Sequence, residues 1–121
     1  GSEGAQIHPK AATREGEPVV LKHNVNSFLG TDLKALLDQH KITGLTLVGS
    51  MSHMCIDAAA RAASDMGYGT TVVHDACATR DLEFNGVVVP AAQAHAAYMA
   101  SLAFAYAQVV STQEWLDANR R

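Results

Sequence analysis

Cys55 is the residue whose type and position best suit covalent chemistry. It follows the β-branched, glycine-bounded run Gly44–Gly49 by a few residues and opens a stretch of small apolar residues that reaches Met66. This pattern predicts a strand, a short loop and a helix packed on a sheet, with the thiol at or just inside the helix N-terminus. Free N–H groups and the positive end of the helix dipole would stabilise the nucleophilic thiolate there. The same N–H groups could hold a developing oxyanion.

Lys22 is the second candidate, because it ends the short apolar run Pro18–Lys22, which predicts a strand. The carboxyl ends of parallel strands meet at one edge of a sheet, so its ammonium group could reach the loop before Cys55 and favour the thiolate. Both residues also have a structural interpretation. A cysteine is commonly one more small buried side chain, and a lysine that ends a strand is usually solvated.

The other reactive side chains favour structural roles. Cys77 lies in an apolar stretch and is expected to be packed, while Asp75 is expected to cap or brace its loop. The histidines are scattered without the spacing of a metal site, at His8, His23, His40, His53, His74 and His95. Gly67-Tyr68-Gly69 follows a helix instead of opening one, which is the wrong context for a dinucleotide loop. We therefore predict neither a metal nor a cofactor.

Length and charge narrow the class of protein. A chain of 121 residues with 48% hydrophobic residues predicts a single domain, residues 1–121, with a real core. The net charge of −3 and the lack of a basic cluster before Arg120 argue against nucleic-acid or membrane-surface partners. No apolar run has the length of about 20 residues that a bilayer span needs. We expect a cytoplasmic protein with two free thiols.

The remaining pattern alternates strands with helices. Further strands are predicted over residues 70–74 and 107–110, and further helices over residues 31–40, capped by Thr31, and 90–105, opened by Pro90. Ser111 with Glu114 forms a capping box for a last short helix. Alternation of this kind predicts right-handed crossovers and a three-layer α/β fold with a mostly parallel sheet.

Two separated segments resemble the isochorismatase-like cysteine hydrolases, a family that includes nicotinamidase-related amidases. The likeness runs from about Ile7 to Leu116. The segment that resembles the family's nucleophile region comprises Val48–Asp57, Arg61–Ala63, Met66–Tyr68 and Val73–Ala78. The segment that resembles its catalytic-lysine region comprises Lys22, Ser27-Phe28 and Gly30–Leu33.

The resemblance implies a Rossmann-like αβα hydrolase with an Asp-Lys-Cys triad that acts on small amides and related substrates. By position, Cys55 would be the nucleophile and Lys22 the triad lysine. The Ser50–Met51 peptide would be cis, and the N–H groups of Met51 and Cys55 would form the oxyanion hole. We expect the pocket for a small-molecule substrate to be walled by Phe28, His53 and Phe84.

One part of the family pattern has no match. The triad aspartate of the family ends a first strand, and neither that strand nor the helix after it corresponds to any part of this sequence. We therefore expect an N-terminally incomplete domain, and we favour a fragment over a partner polypeptide or a non-hydrolytic remnant. A homo-oligomer, or association with the missing segment, is expected. The alternative function is a catalytically silent binding or assembly subunit, and a redox-sensing thiol is a weaker third hypothesis.

Overall fold

The computed structural model describes residues 1–120 and contains four α-helices and five strands within them. The helices are α1 Leu33–Gln39, α2 Asp57–Asp65, α3 Ala91–Ala105 and α4 Thr112–Ala118. The strands are β1 Gly44–Ser50, β2 Gly69–Ala78, β3 Leu82–Phe84, β4 Val87–Val89 and β5 Gln108–Val110. Short 3₁₀ turns occur at Glu3–Ala5 and Pro9–Ala11, and a π-helical turn, Ser52–Ile56, leads directly into α2.

A parallel three-stranded sheet organises the fold, with the strands in the order β1-β2-β5. Leu47 pairs with Val72, and Val73 pairs with Val110, so the centre of the sheet is aliphatic. The register of β1 against β2 shifts between Leu47 and Gly49, just before the chain leaves the sheet toward the π-helical turn. The predicted mostly parallel α/β fold is therefore confirmed.

The core lies between β2, α2 and α3. Its buried cluster consists of Ile56, Ala60, Val72, Met99 and Leu102. Ala60 and Ala63 of α2 are fully buried, and their small side chains let the helix backbone approach its neighbours closely. The alanine-rich composition that predicted a helix packed on a sheet is thus explained by close packing.

The predicted strand Pro18–Lys22 is wrong: these residues form no strand in the structure. Val19 is 64% exposed and Leu21 is 77% exposed, so the apolar run does not pack in the core. A β-branched run acquires strand structure only through a hydrogen-bonded neighbour, and this segment has no ladder partner within residues 1–120. The edge of β1 that faces away from β2 is also unpaired within the same residues.

The ends of the helices follow local chemistry. α2 ends where Gly67 adopts a φ of +92°, as predicted, since glycine takes this conformation without a steric penalty. α1 begins at Leu33 with Asp32 at the N-cap position, where its side chain makes no capping hydrogen bond. The capping side chain is that of Thr31, as predicted, because its hydroxyl oxygen accepts from the Leu33 N–H at 3.4 Å while the hydroxyl group donates to the Ser27 carbonyl.

The last helix confirms one prediction and corrects another: the capping box is present, whereas Asp75, which was expected to cap or brace its own loop, lies on β2 and binds the start of this helix. The Ser111 hydroxyl accepts from the Glu114 N–H at 3.1 Å, and the Glu114 carboxylate accepts from the Ser111 N–H at 2.7 Å, which is the predicted capping box. Asp75 braces the same helix end, because one carboxylate oxygen accepts from both the N–H and the hydroxyl group of Thr112, each at 2.7 Å. Donation by the Thr112 hydroxyl and N–H groups lowers the pKa of Asp75, and donation by the Ser111 N–H lowers that of Glu114.

A β-hairpin between the sheet and α3 was not predicted. β3 and β4 pair antiparallel around Asn85-Gly86, which have φ values of 50° and 78°. Asn-Gly between two apolar runs is the strongest short-range signal for a two-residue hairpin, so the sequence did contain the information.

No helix within residues 1–120 is long and apolar enough to cross a membrane.

Candidate active site

The turn that carries Cys55 begins at an unusual peptide bond. The Ser50–Met51 bond is cis, as the resemblance implied, and the π-helical turn Ser52–Ile56 follows it. The Met51 carbonyl accepts from the N–H groups of Met54 and Ile56, at 3.0 and 3.3 Å. A regular α-helix would instead give this bond to the N–H four residues on, which is that of Cys55. In the π-helical turn, the Met51 carbonyl therefore binds the Ile56 N–H in place of the Cys55 N–H.

Lys22 and Cys55 meet in the structure. The Lys22 Nζ lies 3.3 Å from the Cys55 Sγ, although the two residues are 33 positions apart. The ammonium group also donates to the backbone carbonyls of Asn24 at 2.9 Å and Val25 at 3.4 Å. An ammonium group has three N–H donors, so these three contacts account for all of them and aim the charge at the sulfur. Lys22 forms no ion pair with a carboxylate within residues 1–120.

Cys77 differs from Cys55 in its surroundings. It is half-buried on β2 opposite Gly49 and packs against the core cluster. Burial raises the pKa of the Cys77 thiol, because an apolar environment disfavours the charged form. Cys77 is therefore a packed thiol, in agreement with its predicted structural role.

Two histidines make hydrogen bonds at the π-helical turn: His53 belongs to the turn, and His95 lies on α3. The His53 Nδ1 is 2.6 Å from the Thr79 hydroxyl oxygen, and its ring meets the Tyr98 ring edge-on with centroids 5.8 Å apart. On the other side, the fully buried Ser52 hydroxyl oxygen is 2.7 Å from the His95 Nδ1. Sequence reasoning missed Thr79, Tyr98, Ser52 and His95, because nothing local marks these contacts.

The other two predicted wall residues have different surroundings. Phe28 stacks on Tyr68 with ring centroids 6.3 Å apart, and the Tyr68 hydroxyl group donates to Asp38. Phe84 lies on the hairpin and is 75% exposed. No hydrogen bond, ring stacking or cation–π contact joins Phe28 or Phe84 to the Lys22–Cys55 pair within the described part of the chain. Their place in a substrate pocket stays a prediction.

The described residues do not gather metal ligands. No group of three or more His, Cys, Asp or Glu side chains within residues 1–120 is placed to hold a metal ion. The reactive groups that the described residues bring into contact are the Cys55 thiol and the Lys22 ammonium group.

This fold and site define a parallel α/β protein with a thiol–ammonium pair beyond the carboxyl end of a strand. The family model of the isochorismatase domain matches residues 1–114. The chain is 44% identical, over 95% of its length, to the uncharacterized isochorismatase family protein YddQ of Bacillus subtilis, and covers 64% of that protein. The chain belongs to the isochorismatase family.

One solved structure and one named enzyme are also similar to this chain. A crystal structure from Oleispira antarctica, named as an isochorismatase hydrolase, superposes with a TM-score of 0.94 at 62% identity, over 97% of this chain and 62% of that one. The streptothricin hydrolase of Streptomyces noursei is 38% identical over 65% of this chain and 29% of its own length. The chain spans somewhat less than two thirds of the length of YddQ and of the Oleispira protein.

Proposed function

We propose that this chain carries the nucleophile of a cysteine hydrolase that cleaves a small amide or a related substrate. The single observation that carries the proposal is the 3.3 Å contact between the Lys22 Nζ and the Cys55 Sγ. A cation at this distance stabilises the thiolate, and the thiolate is the attacking form of cysteine. Similarity to a streptothricin hydrolase supports hydrolysis as the reaction class, and leaves the substrate of this chain open.

The reaction would proceed through a thioester. The Cys55 thiolate adds to the carbonyl carbon of the amide, and the carbonyl electrons move onto oxygen, where the N–H groups of Met51 and Cys55 would hold the oxyanion. Collapse re-forms the carbonyl and breaks the C–N bond, and the amine leaves with a proton given by an acid–base carboxyl group. Water then gives a proton back to the resulting carboxylate as it adds to the thioester, and collapse of this second adduct breaks the C–S bond, releases the carboxylic acid and returns the thiolate.

Proton transfer in these steps needs a carboxylate. Lys22 has no carboxylate partner within residues 1–120, and we propose that the acid–base carboxylate comes from outside them. The same observation favours the second candidate function, a binding or assembly subunit that keeps the fold without turnover. In either case we propose a cytoplasmic location, where a reducing environment keeps the Cys55 thiol free.

Intact-mass measurement during turnover tests the enzyme. We expect a panel of small amides and activated esters to include a substrate that adds its acyl mass to the protein, on Cys55 by peptide mapping. Cys55→Ala should abolish both the adduct and turnover, while Cys77→Ala, the matched control thiol, should keep them. Turnover that survives Cys55→Ala would refute the proposed nucleophile. A wild-type protein without adduct or turnover on the whole panel would favour the silent subunit.

We also propose that the unpaired edge of β1 is covered in the functional protein. Val48 on β1 is 57% exposed, and the apolar run Pro18–Lys22 is unpaired within residues 1–120. An uncovered, apolar sheet edge attracts another strand. The occupant would be a polypeptide segment that carries the acid–base carboxylate, or a second copy of the chain.

Expression of residues 1–121 alone tests this association. We expect sedimentation to show a self-associated species, or circular dichroism to show no cooperative melt. Adding a charge to the edge by Val48→Lys should weaken self-association, whereas Val88→Lys on the exposed hairpin should not change it. A monomer that melts cooperatively would contradict the proposal.

A further inference from the structure

The turn that carries Cys55 is held at both ends by one face of α3. At its start, the Ser52 hydroxyl oxygen is 2.7 Å from the His95 Nδ1. At its end, Ile56 packs in the core cluster with Met99 and Leu102. His95, Met99 and Leu102 are spaced four and three residues apart, so they lie on the same face of the helix. His53, Met54 and Cys55 lie between the two points of attachment.

Ser52 is an unusual residue for this position. It is fully buried, as are Leu102 and Val72, but unlike them it carries a hydroxyl group. A buried hydroxyl group without a partner destabilises the fold by about 1–3 kcal/mol, so the bond to His95 is needed once serine is there. An alanine in its place would need no partner at all. Serine is therefore better explained by the direction that its hydrogen bond gives to the turn than by packing.

We infer that His95 is a positioning residue, which acts through Ser52 to fix the π-helical turn and thereby the Cys55 thiol and the N–H groups of Met51 and Cys55. This inference rests on the proposed function, because it assigns a role within the same site. The Ser52 O–H donates to an unprotonated Nδ1, or accepts from an Nδ1–H, so either tautomer keeps the bond. The bond joins residues 43 positions apart and couples the reactive turn to α3.

Substitutions at His95 separate positioning from folding. His95→Asn places an amide atom where Nδ1 stands and can keep the bond, whereas His95→Leu cannot. The double variant Ser52→Ala/His95→Leu removes both polar groups, so no buried hydroxyl group is left unpaired and stability should recover. Ser101→Ala is the matched control on α3, since Ser101 is exposed and contacts Arg61.

The readout is the alkylation rate of each thiol by iodoacetamide in the intact protein, with Cys77 as the internal reference. A turn that shifts would move the Cys55 Sγ out of its 3.3 Å contact with the Lys22 Nζ, so we expect His95→Leu and the double variant to slow alkylation of Cys55 by about tenfold relative to Cys77, as loss of the cation itself would. His95→Asn and Ser101→Ala should stay within a few-fold of wild type. With a substrate, His95→Leu should lower kcat with little change in KM.

The outcomes distinguish this inference from the proposed function. If Cys55 of the wild-type protein is alkylated no faster than Cys77, the activated thiol itself is refuted. If Cys55 is fast in the wild type and equally fast in His95→Leu and in the double variant, only the positioning role is refuted. A double variant that regains both thermal stability and Cys55 reactivity would likewise overturn it, because the bond would then serve folding alone.

Discussion

Replacing Lys22 by methionine tests the centre of the proposed chemistry. Methionine keeps the apolar stem of lysine as far as Cε and removes the charged Nζ, so the change acts on the 3.3 Å contact with the Cys55 Sγ. It also removes the donations to the Asn24 and Val25 carbonyls. These carbonyls lie in an exposed loop where water can replace the lost donor, so we expect little change in the free energy of unfolding.

The size of the effect follows from the distance. Two unit charges 3.3 Å apart attract by about 1.3 kcal/mol in bulk water and by about 5 kcal/mol at the effective dielectric constant of about 20 that suits pairs near a protein surface. Lys22 is half-buried, so the true value lies between these limits. A loss of about 1.4 kcal/mol is tenfold in an equilibrium or a rate. A less stabilised thiolate is also a stronger nucleophile, which offsets about half of this energy, so Lys22→Met should slow alkylation of Cys55 at neutral pH by about tenfold.

The assay is iodoacetamide labelling with peptide mapping, alongside a thermal melt. Lys10→Met is the control for loss of one positive charge, because Lys10 lies in the exposed 3₁₀ turn Pro9–Ala11. Lys22→Arg keeps the charge on a wider, planar group and should fall between wild type and Lys22→Met. Labelling of Cys55 in Lys22→Met within a few-fold of wild type, with an unchanged melt, would remove Lys22 from the mechanism.

Three further substitutions test the supports of the fold. Asp75 and Glu114 have lowered pKa values in the folded state, so the stability they contribute is complete above about pH 4.5 and is lost as the pH falls through the lowered values. Asp75→Asn should therefore flatten the acid limb of a plot of melting temperature against pH, and an unchanged limb would contradict this. Ser111→Ala should lower the free energy of unfolding by about 1 kcal/mol in urea titrations, since it removes the cap of α4. Gly67→Ala should lower it by about 1–2 kcal/mol through the φ of +92° alone, because an added Cβ would meet nothing within 4 Å.

The parts of the fold that depend on local chemistry could be predicted from the sequence. The capping box at Ser111, the glycine stop at Gly67 and the position of Cys55 just after a β-branched strand all depend on neighbouring residues. The prediction of a strand at Pro18–Lys22 was wrong because a strand does not depend on neighbouring residues alone. Its pattern was correct for a strand, but a strand also requires a partner that the pattern does not contain.

In the candidate site too, some features could be predicted from local sequence and others depend on distant contacts. Cys55 could be proposed from its place after a strand, and Lys22 was proposed from the end of a strand that the structure does not form, but the structure still places the two side chains in contact. The π-helical turn could not be predicted. Nor could two hydrogen bonds, one between Ser52 and His95 and one between His53 and Thr79, because they join residues 43 and 26 positions apart. The first of these hydrogen bonds follows from the packing of α3 on the turn and the second from the position of Thr79 directly after β2, and no local pattern encodes either.

The two halves of the reactive pair are held to different degrees. Cys55 lies in a turn that is bonded to α3 at one end and packed in the core at the other. Lys22 lies in a segment that has no ladder hydrogen bonds within residues 1–120, and its ammonium group is bound by carbonyls of its own loop at Asn24 and Val25. The distance between sulfur and nitrogen therefore depends mainly on how firmly the loop around Lys22 is held, because the turn around Cys55 is attached to α3 and to the core.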